Sequence, residues 1–155
     1  MTEVSTMELV TSLLRGLGVT VQLTVAGMIL GFILSFIAGL GRLSKLRILR
    51  VVSGVYVEVI RGTSLLVQLF WIYFALPIFG IRLTAMMAGI LALGVNFGAY
   101  GSEVVRSSVL SVPKGQTEAA IALNMTPFQR RWRVIMPQAV MSMLPAFGNL
   151  QIELS

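Results

Sequence analysis

What limits this chain most is its long uncharged runs. Gly16 to Gly41 carries no acidic or basic residue, and neither does Gly62 to Ile81 or Leu83 to Ser102. About 20 apolar residues cross a bilayer core as a helix, and lipid leaves each backbone polar group to be satisfied within the segment. Three transmembrane helices are therefore expected, over about 17–40, 62–81 and 83–105, with a fourth neutral run over about 138–155 beginning another. Composition agrees: 12% of the residues are charged, about half the share of a soluble domain. The fold class expected is all-α and integral to the membrane.

Histidine, cysteine and aspartate are absent. That removes His/Cys metal clusters, Ser-His-Asp chemistry, thiol catalysis and disulfides. No G-x-x-x-x-G-K-[ST] phosphate loop occurs. The residues point away from an enzyme, from a metal site and from a cofactor bound by this chain. The net charge of +6 is no nucleic-acid signature, because the basic residues flank apolar runs instead of forming a stripe with interleaved aromatics.

Residues 1–15 read as an extracytoplasmic lead-in with Glu3, Glu8 and Arg15. They are not net positive and show no small-residue cleavage site, so a signal peptide is a poor fit. Along the first span, Gly27, Gly31, Ser35 and Gly39 recur every four residues, a flat strip that lets a neighbouring backbone approach. Arg42, Lys45, Arg47, Arg50 and Arg61 fall in one expected inner segment, and Arg106, Lys114, Arg130, Arg131 and Arg133 in the other. Only Arg15 and Arg82 fall outside, a positive-inside bias that places the N-terminus outside the cytoplasm.

Several polar residues interrupt the spans. Glu58 and Arg61, and likewise Glu103 and Arg106, stand three apart and can pair on one helix face as interfacial ion pairs. Ser64, Gln68 and Trp71 share a face that either lines a pathway or hydrogen-bonds a neighbour. Asn96, Tyr100 and Glu103 share another. Gln68, Asn96 and Tyr100 are the candidates for lining a translocation path.

The longest polar interruption is 111–137. Ser111 is the expected cap for a helix beginning near Pro113. Glu118, Ala119, Ala120 and Ala122 continue it with good helix formers. Asn124 tolerates the left-handed geometry of a helix end, and Thr126-Pro-Phe-Gln129 is a capping box opening a second helix. Pro137 disfavours smooth continuation of that helix. The reading is helix, corner, helix, with an alanine surface suited to a groove on a partner. An amphipathic pair on the inner leaflet is the alternative, which would make the chain a membrane scaffold with a basic lipid- or protein-binding loop.

Glu118-Ala119-Ala120, Asn124 and Val134-Ile-Met-Pro137 resemble the EAA loop of ABC-importer permeases, with Asn124 for the family's Gly, Val134 for Ile and Met136 for Leu. Tyr56 to Leu66, Asn96 to Arg106 and Val112 to Gln116 are similar to the histidine/glutamine branch, which imports polar amino acids. Glu118 to Met125, and Met143 to Leu154, most resemble permeases for ectoine and hydroxyectoine.

The resemblance implies a type I importer transmembrane domain over 16–155, a five-helix fold that here stops after about four spans, with two short cytoplasmic coupling helices. It implies that Glu118, Ala119, Ala120 and Asn124 dock on an ATPase and that Pro137 turns the chain back into the membrane. The partners implied are an ATPase dimer, a second permease identical or homologous to this one, and an extracytoplasmic solute-binding protein. ATP hydrolysis would belong to the ATPase subunits.

Overall fold

The computed structural model describes residues 6–154; Met1 to Ser5 of the lead-in and Ser155 lie outside them. Their regular structure is all helical: α1 (Thr6–Arg42), α2 (Arg47–Arg61), α3 (Leu65–Phe70), α4 (Ala85–Ser111), α5 (Lys114–Ala122), α6 (Pro127–Arg130) and α7 (Met136–Leu154). A π turn at Trp71–Ala75 and a 3-10 turn at Leu76–Phe79 extend α3, and a second π turn at Arg131–Ile135 joins α6 to α7. No strand occurs among the described residues.

α1 takes in the described part of the lead-in without a break. At 37 residues it is about 55 Å long, well beyond a bilayer core of about 30 Å. Among the described residues, α1 and α4 are the two helices long and apolar enough to cross a membrane, and α2 with the α3 extension could make a third, broken crossing.

The uncharged run over 62–81 is helical over Leu65–Phe79, with a sharp corner before it. α2 and the segment Leu65–Phe79 meet at 106°, and the uncharged run supplies only the second limb. Ser64 caps α3 by accepting from the Leu66 N–H at 3.3 Å, which starts a new helix at the corner. α7 is likewise not among the candidate crossings of the described residues. Its run is neutral without being strongly apolar: Gln138, Ser142, Asn149, Gln151 and two prolines dilute its hydropathy.

The framework is the pairing of α1 with α4. A Cβ on Gly27 would lie 3.0 Å from Leu93, one on Gly31 2.6 Å from Phe97, and one on Gly39 2.7 Å from Val105. Leu23 meets Gly89, and Ser35 meets Gly101, at the same sequence separation. A constant offset with both numbers rising means that the helices run parallel. α4 answers the strip on α1 with its own small residues, Gly94 and Gly98 receiving Leu30 and Leu34. Parallel neighbours need a long return connection, and α2 with α3 provides it.

α7 closes the core. Its Ala139, Met143, Phe147 and Leu150 are buried with Phe97 and Val105 of α4. Phe32 of α1 sits against both Phe97 and Phe147, with ring centroids at 5.3 and 4.9 Å. Edge-on and tilted rings at such spacings add to simple area burial.

Candidate functional site

Two polar features lie toward the end of the bundle where α1 finishes. The first is the loop after α4. Ser111 does not cap α5; its hydroxyl donates to the Ser108 carbonyl at 2.8 Å, and Pro113 takes the cap position with no side-chain bond. The expected cap fails because α4 runs on to Ser111 and absorbs it.

At the far end of α5, Asn124 has φ +54°. The Met125 N–H reaches back to the Ala120 carbonyl at 3.0 Å, and the Asn124 N–H to Ile121 at 2.9 Å. This is the paired Schellman closure, with asparagine in the left-handed position usually held by glycine. Thr126 then accepts from the Gln129 N–H at 3.3 Å, while its own N–H donates to the Gln129 side chain at 3.1 Å. Pro127 fills the first helical position.

The expected alanine face needs one correction. Ala120 is 2% exposed, so its methyl packs within the chain. Glu118, Ala119 and Asn124 are exposed, and Ile121, Leu123, Phe128 and Trp132 present apolar surface beside them. Adjacent residues of an α-helix point about 100° apart, so Ala119 and Ala120 cannot both face the same side.

Pro137 does not break or turn the helix either. The chain is helical from Pro127 to Leu154. Arg133, whose carbonyl a proline ring at 137 would strike in a regular α-helix, is the middle residue of the π turn, and that wider turn takes up the conflict. Gln138 ties this helix to α5, donating to the Gln116 side chain at 3.2 Å and to the Val134 carbonyl at 3.1 Å.

The second feature is a polar cluster where α2, α3 and α4 meet. Gln68, 7% exposed, donates from Nε2 to the Ile60 carbonyl at 2.8 Å, the Thr63 carbonyl at 3.1 Å and Thr63 Oγ1 at 2.9 Å. Its Oε1 accepts from Asn96 Nδ2 at 3.3 Å. The pair is therefore spent on the bend between α2 and α3. Tyr56 adds a bond from its hydroxyl to the Val95 carbonyl at 2.7 Å.

Toward the end of the bundle where α1 finishes, an open recess of about 640 Å³ is lined by Arg42, Val57, Glu58, Arg61, Gly62, Tyr100 and Glu103. Glu103 accepts from Arg106 at 2.9 Å and also from Arg42 of α1, a partner no local spacing indicates. The expected Glu58–Arg61 pair does not form. Arg61 instead lies over the Tyr100 ring, 5.3 Å from its centroid, a cation–π placement, and the Glu58 carboxylate has no partner among the described residues. Gln68 and Asn96 are not part of this lining; Tyr100 is.

Comparison with known proteins fits this arrangement. The chain is 49% identical to a probable amino-acid ABC transporter permease of Sinorhizobium fredii, over 89% of this chain and 60% of that protein. It is 46% identical to an L-cystine transport system permease of Bacillus subtilis, over 90% of this chain and 59% of the relative. Against a putative glutamine transport system permease of Rickettsia prowazekii the figures are 38%, 92% and 66%. The chain thus spans about 60% of the length of the first two relatives. The crystal structure of an amino acid ABC transporter with histidines superposes with a TM-score of 0.80 at 36% identity, covering 93% of this chain and 71% of that one. Residues 16–153 match the model of the binding-protein-dependent transport system inner membrane components, and the chain belongs to that family of ABC transporter permeases.

Proposed function

We propose that this chain is the membrane-spanning part of a permease subunit that passes a small zwitterion into the cytoplasm by alternating access, driven by ATP hydrolysis on partner subunits. The observation that carries the reading is the α5–α6 loop: a helix closed at Asn124, a capping box, and a second helix continuous with α7. A push on α5 reaches the bundle through Gln116–Gln138 and the unbroken helix, without a flexible joint to absorb it. Glu118, Ala119 and Asn124 form the docking surface, with Ala120 packed behind it. Two ATPase subunits and a second permease, identical or homologous, complete the assembly; a solute-binding protein delivers substrate on the outer side, where the positive-inside bias puts the N-terminus. The chain binds no cofactor of its own and no nucleic acid, and annular lipid surrounds it.

The relatives named above carry amino-acid names, and a polar amino acid is the substrate class they support. Ectoine, also a small zwitterion, rests on the likeness of two segments. Uptake of labelled glutamine, cystine and ectoine by the full-length assembly separates them.

Docking is tested by co-purification. Glu118→Arg should remove the ATPase from detergent-solubilised permease while leaving permease yield intact. Retention of the ATPase at wild-type stoichiometry sinks the docking surface and favours a lipid-binding scaffold.

A further inference from the structure

α2 carries two sets of side chains that the rest of the chain does not use. Ser53, Tyr56, Val57 and Ile60 make its inward face: Val57 is 2% exposed, the Tyr56 hydroxyl donates to α4, and Gly41 of α1 has no room for a Cβ beside Ser53. At about 100° per residue, Ile48, Val51, Val52, Val55 and Val59 fall opposite that face, and each is more than half exposed. Arg47 and Arg50 stand on the edge between the two faces, just after Lys45. Arg42 is held by Glu103, but Lys45, Arg47 and Arg50 are exposed and have no carboxylate partner among the described residues. The next acid on α2 is Glu58, about 12 Å beyond Arg50 along the axis, farther than exposed charges act through physiological salt. The α3 extension runs antiparallel to α4, from Gln68 beside Asn96 to Phe74 beside Ala85. α2 meets it at 106° and so lies nearly crosswise to the bundle, at the end that the positive-inside bias assigns to the cytoplasm.

We propose that α2 is a docking surface for anionic phospholipid of the inner leaflet, Lys45, Arg47 and Arg50 receiving the headgroup phosphate and the valine stripe the acyl chains. A phospholipid joins an anion to hydrocarbon at one depth, and α2 presents cations beside bare apolar surface in the same way. A helix of this kind lies in the interface with its apolar face about 5–10 Å into the headgroup boundary, and each basic residue near the surface adds to the attraction for anionic lipid. A groove on a protein would cover the valines but would have to bring carboxylates for three cations; an anionic leaflet supplies both. The cations are held as a set, because the corner before α2 is fixed: the Ser44 N–H donates to the Gly41 carbonyl at 3.1 Å and the Leu46 N–H to Ser44 Oγ at 3.2 Å. Tyr56 ties the helix that the lipid holds to α4. The proposal goes beyond the transport reading and does not depend on the cargo.

The experiment uses the full-length permease purified with its ATPase. Native mass spectrometry counts dioleoylphosphatidylglycerol and dioleoylphosphatidylcholine retained from mixed detergent micelles. Wild type should prefer the anionic lipid by about tenfold or more, and the preference should shrink at high salt. Lys45→Gln, Arg47→Gln and Arg50→Gln together should remove it. Lys45→Arg, Arg47→Lys and Arg50→Lys together should keep it, which separates charge from misfolding. Arg130→Gln, Arg131→Gln and Arg133→Gln together should leave it in place; equal loss from either set would mean that positive charge in general attracts the lipid, and the site is overturned. Inorganic phosphate at the same concentration should not compete, because it brings no acyl chain; competition would make this a site for free anions instead of a lipid surface. A wild type without preference, or a glutamine variant at 45, 47 and 50 that sheds the ATPase while holding its lipid, also overturns the proposal. Uptake by the assembly is read separately, so failure here leaves the transport reading untouched.

Discussion

Gln68 illustrates how far side-chain spacing carries. Helical periodicity puts it on one stripe with Ser64 and Trp71, but the three residues do unrelated work. Ser64 caps α3, Gln68 binds the bend, and Trp71 is exposed at the start of a π turn. The bend leaves α2 carbonyls without helical partners, and lipid offers none. Gln68 supplies the donors, and Asn96 holds its oxygen. Replacing Gln68 by Leu should lower stability by about 1–2 kcal/mol, more than the roughly 0.6 kcal/mol typical of one hydrogen bond between membrane helices, since several groups lose a partner together. Denaturant titration of detergent-solubilised protein measures it. If Gln68→Leu with Asn96→Leu is no more stable than Gln68→Leu alone, the Gln68–Asn96 bond is not what Asn96 contributes. Glu103 makes a parallel point: Arg106 is visible three residues away, whereas Arg42 becomes a candidate only once charge counting puts both helix ends on one side.

Two helical segments widen just before a proline. Pro77 and Pro137 each stand four residues after the middle of a π turn, Tyr73 and Arg133 respectively. Widening the turn moves the carbonyl that the ring would strike, so at Pro137 the helix survives where a break was expected. Pro145 sits in α7 with no such turn before it, so the ring permits the π geometry without compelling it. Pro137→Ala restores the missing N–H and removes the clash. The turn at 131–135 should rewind, rotating Phe128 and Trp132 by about 100° relative to Met136 onward. A cryo-EM structure of the assembled variant that retains the π turn would show that the proline is not its cause. Asn124 and the Thr126–Gln129 box, by contrast, are readable directly, because each satisfies its own end of helix with atoms a few residues away.

For the molecule as a whole, the parallel embrace of α1 and α4 decides what can move. Gly31 faces Phe97, and Phe97 is wedged against Phe32 and Phe147, so the ring has little room to yield. Gly31→Leu should destabilise by about 1–3 kcal/mol or force the helices apart. Gly16→Leu, with nothing within 4 Å of its Cβ, should be close to neutral. Thermal unfolding of the two variants side by side reads the difference, and equal losses would mean that the close approach at Gly31 is not rigid.

Local chemistry was enough to establish helix, membrane, the strip of small residues and the corner at Asn124. Each depends on periodicity, on hydropathy or on bonds spanning a few positions, and those are written along the chain. The 106° bend, the parallel register, the inward-facing Ala120 and the separation of Glu58 from Arg61 were beyond such reading. They arise where distant segments compete for the same groups: Tyr100 takes Arg61, Arg42 takes Glu103, and Gln68 takes the end of α2. Spacing lists the partners a residue could have; packing chooses among them.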